Sequence, residues 1–208
     1  MSKYHIPLLP DTTYHVFNRA VGNEKLFKTV GNYNYFLTKM TQHVLPVCDL
    51  FTYSLMPNHF HLLIRIKNEE IITSYFELKK KRKFDSKLHS LPDFIMEQFS
   101  NWLNGYTKAF NKMYNRKGAL FIDYLKRSCA EEDSDFTSFI FYIHKNAVHH
   151  GITQNIGEWR FDGYQALLSE KHTLLLRKEV IDWFGSKEQF VKFHDRPIDL
   201  KKMDAFNY

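Results

Sequence analysis

The sequence predicts an α+β fold of split β-α-β plan: an antiparallel sheet with helices packed on one face, followed by a C-terminal extension. Short runs rich in β-branched and aromatic residues alternate with longer runs whose apolar residues recur at helical spacing. Their order along the chain is β-α-β-β-α-β-α. The two central β-rich runs, DLFTYSLM and HFHLLIRI, are separated only by Pro57-Asn58, a turn signal that makes them an antiparallel hairpin.

Each element has its own warrant. After Pro7 and Pro10, TTYHVFNRA reads as a strand, with Thr12, Tyr14 and Val16 alternating against Thr13, His15 and Phe17. Gly31 precedes a helix in which Tyr33, Phe36, Leu37, Met40, Val44 and Leu45 form the apolar stripe, and Pro46 ends it. Residues 67–92 are charged, contain the cationic run Lys79 to Lys83, and close on Pro92; they read as a solvated helix and loop or as a basic patch that meets an anion. From Asp93 a helix carries Phe94, Ile95, Phe99, Trp102, Leu103, Tyr106 and Phe110, with Gly105 as its weak point. After Arg116-Lys117-Gly118, ALFIDYLKRSCA reads as a strand. SDFTSFIFYIHKNAVHHG is a helix with a Ser/Asp start and Gly151 as its stop. A short helix is expected at Ser186 to His194, then a loose tail. The first six elements match the ferredoxin-like plan, whose second sheet face is open; the plan alone selects no function. The expected division is residues 1–168 as one domain, with 67–92 as its charged connecting segment, and 169–208 as a helical extension.

Composition narrows the classes. A chain of 208 residues buries about 70% of its unfolded surface and needs no covalent staples. Two cysteines, Cys48 and Cys129, provide neither a disulfide framework nor a cysteine zinc site, which points to a reducing, cytoplasmic setting. No apolar run is long enough to span a membrane, and the N-terminus has no secretory apolar region. The net charge of +6 favours an anionic partner. Aromatic residues, 16% of the chain with 19 Phe and 12 Tyr, fit an aromatic core better than base-stacking surfaces.

Two patterns carry chemistry. His59 and His61 are alternate residues at the start of a strand, so they share a face, about 6–7 Å apart, and can bind one divalent ion. Taken alone, such a pair is as readily two surface histidines. On the helix that follows Asp135, Tyr142 and Asn146 lie one turn apart on a flank roughly 100° from the apolar centre of Phe136, Ile140, Ile143 and Ala147. A carboxamide oxygen there can be a third metal ligand, and a phenol can reach a phosphate held by the metal. The plainer alternative is a half-buried tyrosine beside a surface asparagine.

The blocks YHVFNRA, YSLMPNHFHLLIRI, YTKAFNKMYNRKGALFIDYLKR, FYIHKNAVHHG and EWRFDGY occur in the order seen in REP-associated tyrosine transposases. The chain resembles this family, part of the single-tyrosine HUH superfamily, over residues 12–168. The resemblance implies a ferredoxin-like catalytic domain that cuts and rejoins single-stranded DNA near hairpins through a 5′-phosphotyrosine, commonly as a homodimer. It places His59, His61 and Asn146 at the metal positions, for Mg²⁺ or Mn²⁺, and Tyr142 at the nucleophile. It implies DNA contacts from Arg19, from the Lys108 to Arg127 region, with Lys108, Arg116, Lys117, Lys126 and Arg127, and auxiliary contacts from Lys79, Lys80, Lys81, Arg82 and Lys83. Ordinary surface charge is the alternative for these basic residues. Where the family usually has Pro after the asparagine, this chain has Ala147, so the helix is expected to run on. Two rivals remain. A non-catalytic nucleic-acid module would use exposed aromatics on an open sheet face, and a metal-dependent hydrolase would use water in place of the tyrosine.

Overall fold

The computed structural model describes residues 6–122 and 125–197. The elements are β1 (Thr13–Arg19), α1 (Val30–His43), β2 (Cys48–Met56), β3 (His59–Ile66), α2 (Glu69–Lys80), α3 (Leu91–Met113), β4 (Lys126–Cys129), α4 (Asp133–His149), α5 (Tyr164–Leu168), α6 (Arg177–Phe184) and α7 (Lys187–His194). The strands form one sheet in the order β2-β3-β1-β4, with every neighbouring pair antiparallel. This is the ferredoxin-like α+β plan.

Local signals account for most boundaries. Thr29 and Asn32 form a capping box at the start of α1, and the helix stops at His43, before Pro46. The charged segment contains α2, capped by Asn68, which accepts a hydrogen bond from the Ile71 N–H and buries Ile72 and Phe76. Pro92 does not close that segment. It lies in the first turn of α3, after the N-cap Ser90, where a missing N–H costs nothing. Among the described residues, the strand read at 119–130 forms a ladder with β1 over Lys126–Cys129, while Phe121 makes an isolated bridge to Ala20 and Ile122 N–H donates to the Arg19 carbonyl. Residues 123 and 124, and the tail from 198, lie outside the described residues.

The aromatic residues chiefly build a core. Strand alternation points Phe60, Leu62 and Ile64 towards α1 and α3, where Phe60 meets Trp102 and Phe36 with ring centroids 5.2 Å away in each case. The Trp102 indole N–H donates to the Phe36 carbonyl at 3.0 Å, satisfying the polar atom of a fully buried ring.

The second face of the sheet is covered, contrary to the open face expected from the plan. There α4 lies across β2 and β3, and residues 161–163 extend the sheet beyond β2: Leu55 N–H donates to the Phe161 carbonyl and Gly163 N–H to the Tyr53 carbonyl. A β-bulge at Phe51 shifts the register between Leu50 and Thr52. The extra residue reverses the alternation, so Leu50 pairs with Ile64 on the α1 side while Thr52 and Ser54 face α4. Gly163 packs on Thr52 so closely that a Cβ would sit 2.2 Å from the Thr52 hydroxyl, leaving room only for glycine.

Thr52 begins a buried hydrogen-bond chain. His144 Nε2 lies 2.6 Å from Thr52 Oγ1, His144 Nδ1 lies 2.9 Å from His194 Nε2, and His194 Nδ1 lies 2.7 Å from the Phe190 carbonyl. A carbonyl only accepts, so His194 carries its proton on Nδ1, His144 carries its own on Nδ1, and the Thr52 hydroxyl donates. Both imidazoles are neutral, and burial depresses their pKa values, His194 to about 4 and His144 well below its usual value. The chain ties α7 to α4 and α4 to β2.

Loss of this link has a measurable consequence. His194→Ala leaves the His144 N–H unpaired and opens a space beside Phe190, and is expected to cost about 2–4 kcal/mol in urea unfolding. The unfolded imidazole titrates near 6.5 and the folded one lower, so the unfolded state binds more protons in between. Stability is therefore full above pH 6.5 and falls as pH drops towards 4. Melting temperatures of the wild type between pH 8 and 4.5 should show this decline, and His194→Ala should make it shallower.

Candidate active site

The site is assembled where the start of β3 meets the end of α4. On β3 the alternation places His59 and His61 on the α4 side, opposite Phe60 and Leu62. In the sheet register His59 lies between Met56 on β2 and Arg19 on β1, and His61 between Ser54 and Phe17. Asn146 is in the last turn of α4. That helix continues through Ala147, as expected, and ends in a Schellman motif: Gly151 N–H donates to the Val148 carbonyl, Ile152 N–H to the Ala147 carbonyl, and Gly151 takes φ +65°.

His59 stands between two carboxamides. Its Nδ1 is 2.8 Å from Asn58 Oδ1 and its Nε2 is 2.9 Å from Asn146 Oδ1. A neutral imidazole has one N–H and can donate to only one of them. When Asn58 takes that proton, the Nε2 lone pair and Asn146 Oδ1 converge on the same point. The His61 ring is edge-on to His59, with centroids 5.1 Å apart, and its Nε2 is buried with no hydrogen-bond partner. Burial lowers the pKa of His59 to about 4 and that of His61 well below the usual value, so both present neutral imidazoles near pH 7. Among the described residues no cluster of three or more His, Cys, Asp or Glu could hold a metal. Two neutral imidazoles and a carboxamide oxygen are nonetheless a donor set that fits a divalent ion such as Mn²⁺ or Mg²⁺.

Tyr142 is one turn before Asn146, on the flank expected for it, but it is buried more deeply than the half-buried alternative would place it. It is 0% exposed. Its ring stands edge-on to His61 and His15, with centroids 5.1 and 5.5 Å away. The reason is that α4 is sunk between the sheet and α7, burying Phe139, Tyr142, His144 and Asn146 as well as the apolar centre.

A cleft of about 640 Å³ opens above the histidine pair. Cationic and imidazole side chains line it: Arg19, Lys25, Lys126, His149 and His150, with His59 and the buried His61 at its floor. The sheet register explains two of these. Arg19 pairs with His59, and Lys126 with Phe17, so both side chains lie on the cleft side. His150 adds an edge-on contact to His59 at 4.8 Å. Sequence reasoning missed Lys25, His149 and His150, and above all His15, whose Nε2 is 2.9 Å from His61 Nδ1. The alternation of β1 had placed His15 beside Phe17, but only the pairing of β1 with β3 brings it to His61.

The other basic residues go elsewhere. Arg127 pairs with Val16 and so faces α3; it is 7% exposed and donates to the carbonyls of Ile6 and Leu125. Arg116 is used up in joining its loop to the β1–α1 connection, with Nε 3.0 Å from Glu24, Nη1 3.0 Å from Asn111, and further bonds to the Gly118 and Ala119 carbonyls. Lys108 and Lys117 are exposed outside the cleft lining. In the cationic run, Lys79 bonds Gln98, Lys80 pairs with Glu97 and Lys83 with Glu77, while Arg82 lies over the Phe76 ring. These contacts attach the run to α2 and α3, on the other side of the sheet from the cleft.

Among solved structures, a REP-associated tyrosine transposase bound to a REP hairpin is similar to this chain, with a TM-score of 0.57 and 12% sequence identity over 84% of this chain and 90% of that one. The chain therefore has the fold of that transposase. No protein-family model matches the sequence. No curated protein matches it. Among the described residues no helix is long and apolar enough to cross a membrane.

The placement of Arg116 separates structure from binding. Arg116→Gln should lower stability by about 1–3 kcal/mol in urea unfolding, because charge-assisted bonds that close the loop after α3 are lost. Arg19→Gln, with its exposed side chain, should leave stability within about 0.5 kcal/mol of the wild type.

Proposed function

We propose that the protein is a single-strand DNA transposase or endonuclease that cuts and rejoins DNA near hairpins by attack of Tyr142 on a phosphodiester. The observation that carries this is the convergence of His59, His61, Asn146 and Tyr142, from two elements far apart in sequence, beneath a cationic cleft. These are the four residues that the resemblance assigns to the chemistry, and the fold agrees with that of a transposase bound to a hairpin.

The residues have distinct tasks. His59, His61 and Asn146 would hold the divalent ion, which supplies polarisation of a non-bridging oxygen of the scissile phosphate. Arg19 and Lys126 orient the backbone along the β1 and β4 side of the histidine pair. The Tyr142 oxygen forms a bond to phosphorus as the P–O3′ bond breaks, the electron pair going to the 3′ oxygen. The phenol loses one proton and the 3′ oxygen gains one, so none is consumed overall. The tyrosyl phosphodiester retains the ester bond, and the reverse attack by a 3′-OH rejoins strands without ATP. Because Tyr142 lies under the cleft floor, cleavage on this reading requires DNA binding to uncover it.

That burial also favours a second reading, in which His59, partly exposed at the cleft floor, and His61 beneath it serve a hydrolase that uses water. A covalent adduct separates the two. A base-stacking module of the open-sheet kind is disfavoured, because α4 covers the second face of the sheet.

The test uses labelled single-stranded hairpin oligonucleotides from the DNA flanking the gene, with Mn²⁺. The wild type should cleave them and give a protein–DNA adduct stable to denaturing electrophoresis. Tyr142→Phe should lose both cleavage and adduct while binding within a few fold of the wild type. Cleavage that persists in Tyr142→Phe without an adduct would mean hydrolysis by water.

Salt dependence tests the cleft. Replacing Arg19 and Lys126 together by Gln should flatten the slope of log K against log salt by roughly 1.4–1.8. Replacing Lys81, Arg82 and Lys83 by Gln should leave the slope parallel to that of the wild type, since that run lies across the sheet from the cleft. A change in slope for the second variant and not the first would move the DNA path to α2.

A further inference from the structure

We infer that His15 is a positioning residue that sets the tautomer of His61 and so presents the Nε2 lone pair of His61 to the divalent ion. The inference rests on the reading above, that His61 is a metal ligand, and adds a residue from outside the His-x-His motif.

The geometry is specific. His15 lies on β1, fully buried, with its Nε2 2.9 Å from His61 Nδ1 and the two rings only 15° from parallel. A neutral imidazole bears one proton. If His61 gives its Nε2 lone pair to a cation, that proton must be on Nδ1, and His15 Nε2 is the acceptor in place. His15 must then carry its own proton on Nδ1, a buried atom with no hydrogen-bond partner. Leaving such a group unpaired is unfavourable, and a packing residue would not require it. The neighbours of His15 are Phe17 and Phe139, both with ring centroids 4.9 Å away, and the edge of Tyr142. A phenylalanine would suit those neighbours better. They hold the His15 ring still, so the direction of the His61 lone pair is fixed before any ligand arrives.

The experiment is Mn²⁺ binding to the whole protein without DNA, measured by electron paramagnetic resonance of the free ion. His15→Phe should weaken binding about 10–100-fold. In His15→Gln the carboxamide oxygen takes the place of Nε2 and accepts the same proton, so affinity should stay within a few fold of the wild type. A packing role predicts the opposite order, with Phe tolerated and Gln disruptive. Thermal melting checks that the variants fold, and His15→Met serves as the apolar variant if His15→Phe does not. Imidazole ¹⁵N spectra in Mg²⁺ should show His61 protonated on Nδ1 in the wild type and in His15→Gln. Equal Mn²⁺ affinity in the wild type and the apolar variant would overturn the role of His15 while leaving the metal site intact. A wild type that does not bind Mn²⁺ would overturn the metal site itself, and the role of His15 with it.

Discussion

Contact between α4 and the sheet is the constraint on which the site depends, and it is made by polar groups as well as apolar ones. Asn146 meets His59 at 2.9 Å and His144 meets Thr52 at 2.6 Å. Apolar packing alone tolerates sliding, because one aliphatic neighbour replaces another at little cost. Hydrogen bonds between buried groups do not, since a slip of one turn, about 5.4 Å, would leave each donor and acceptor unpaired. Two such contacts one helical half-turn apart hold α4 in rotation and in translation. Tyr142 and Asn146 keep their positions over the histidine pair for that reason.

The sheet and the C-terminal helices serve the same contact. The bulge at Phe51 is what turns Thr52 towards His144, and glycine at position 163 is what lets the added edge segment close over Thr52. His194 then holds His144 from the other side. A tie of this kind makes residues 169–197 part of what orients α4, and Val180 and Phe190 belong to the same apolar core as the sheet.

Charge is separated by depth. The imidazoles beneath the cleft are buried and neutral, with pKa values lowered by loss of water, whereas Arg19, Lys25 and Lys126 line the cleft above them. Neutral nitrogens offer lone pairs to a cation, and the cations above offer attraction to phosphates. Were the deep groups charged, they would repel the divalent ion that the proposed function places on them. The same burial keeps Tyr142 away from solvent, which couples its exposure to movement of the helix that carries it.

The sequence alone determined the order β-α-β-β-α-β-α of the main elements and the faces of β1 and β3, but not α5, α6 or the faces of β2 beyond its bulge. The Pro57-Asn58 turn, the alternation of β3 and the Gly151 stop are local, set by residues within a few positions of one another, and they placed His59 and His61 side by side. Tyr142 and Asn146 were legible as a pair for the same reason: they are one turn apart on one helix. Tertiary structure decided what those local patterns face. That α4 covers the second side of the sheet depends on pairing the histidine face with a helix more than seventy residues later in the chain. Whether Lys126 or Arg127 enters the cleft depends on the register between β4 and β1, since adjacent strand residues point to opposite sides. His15 reaches His61, and Thr52 reaches His144, through a strand pairing and a bulge that no local window contains. Long-range register is set by the sum of many packed contacts, and that sum exists only once the chain has folded.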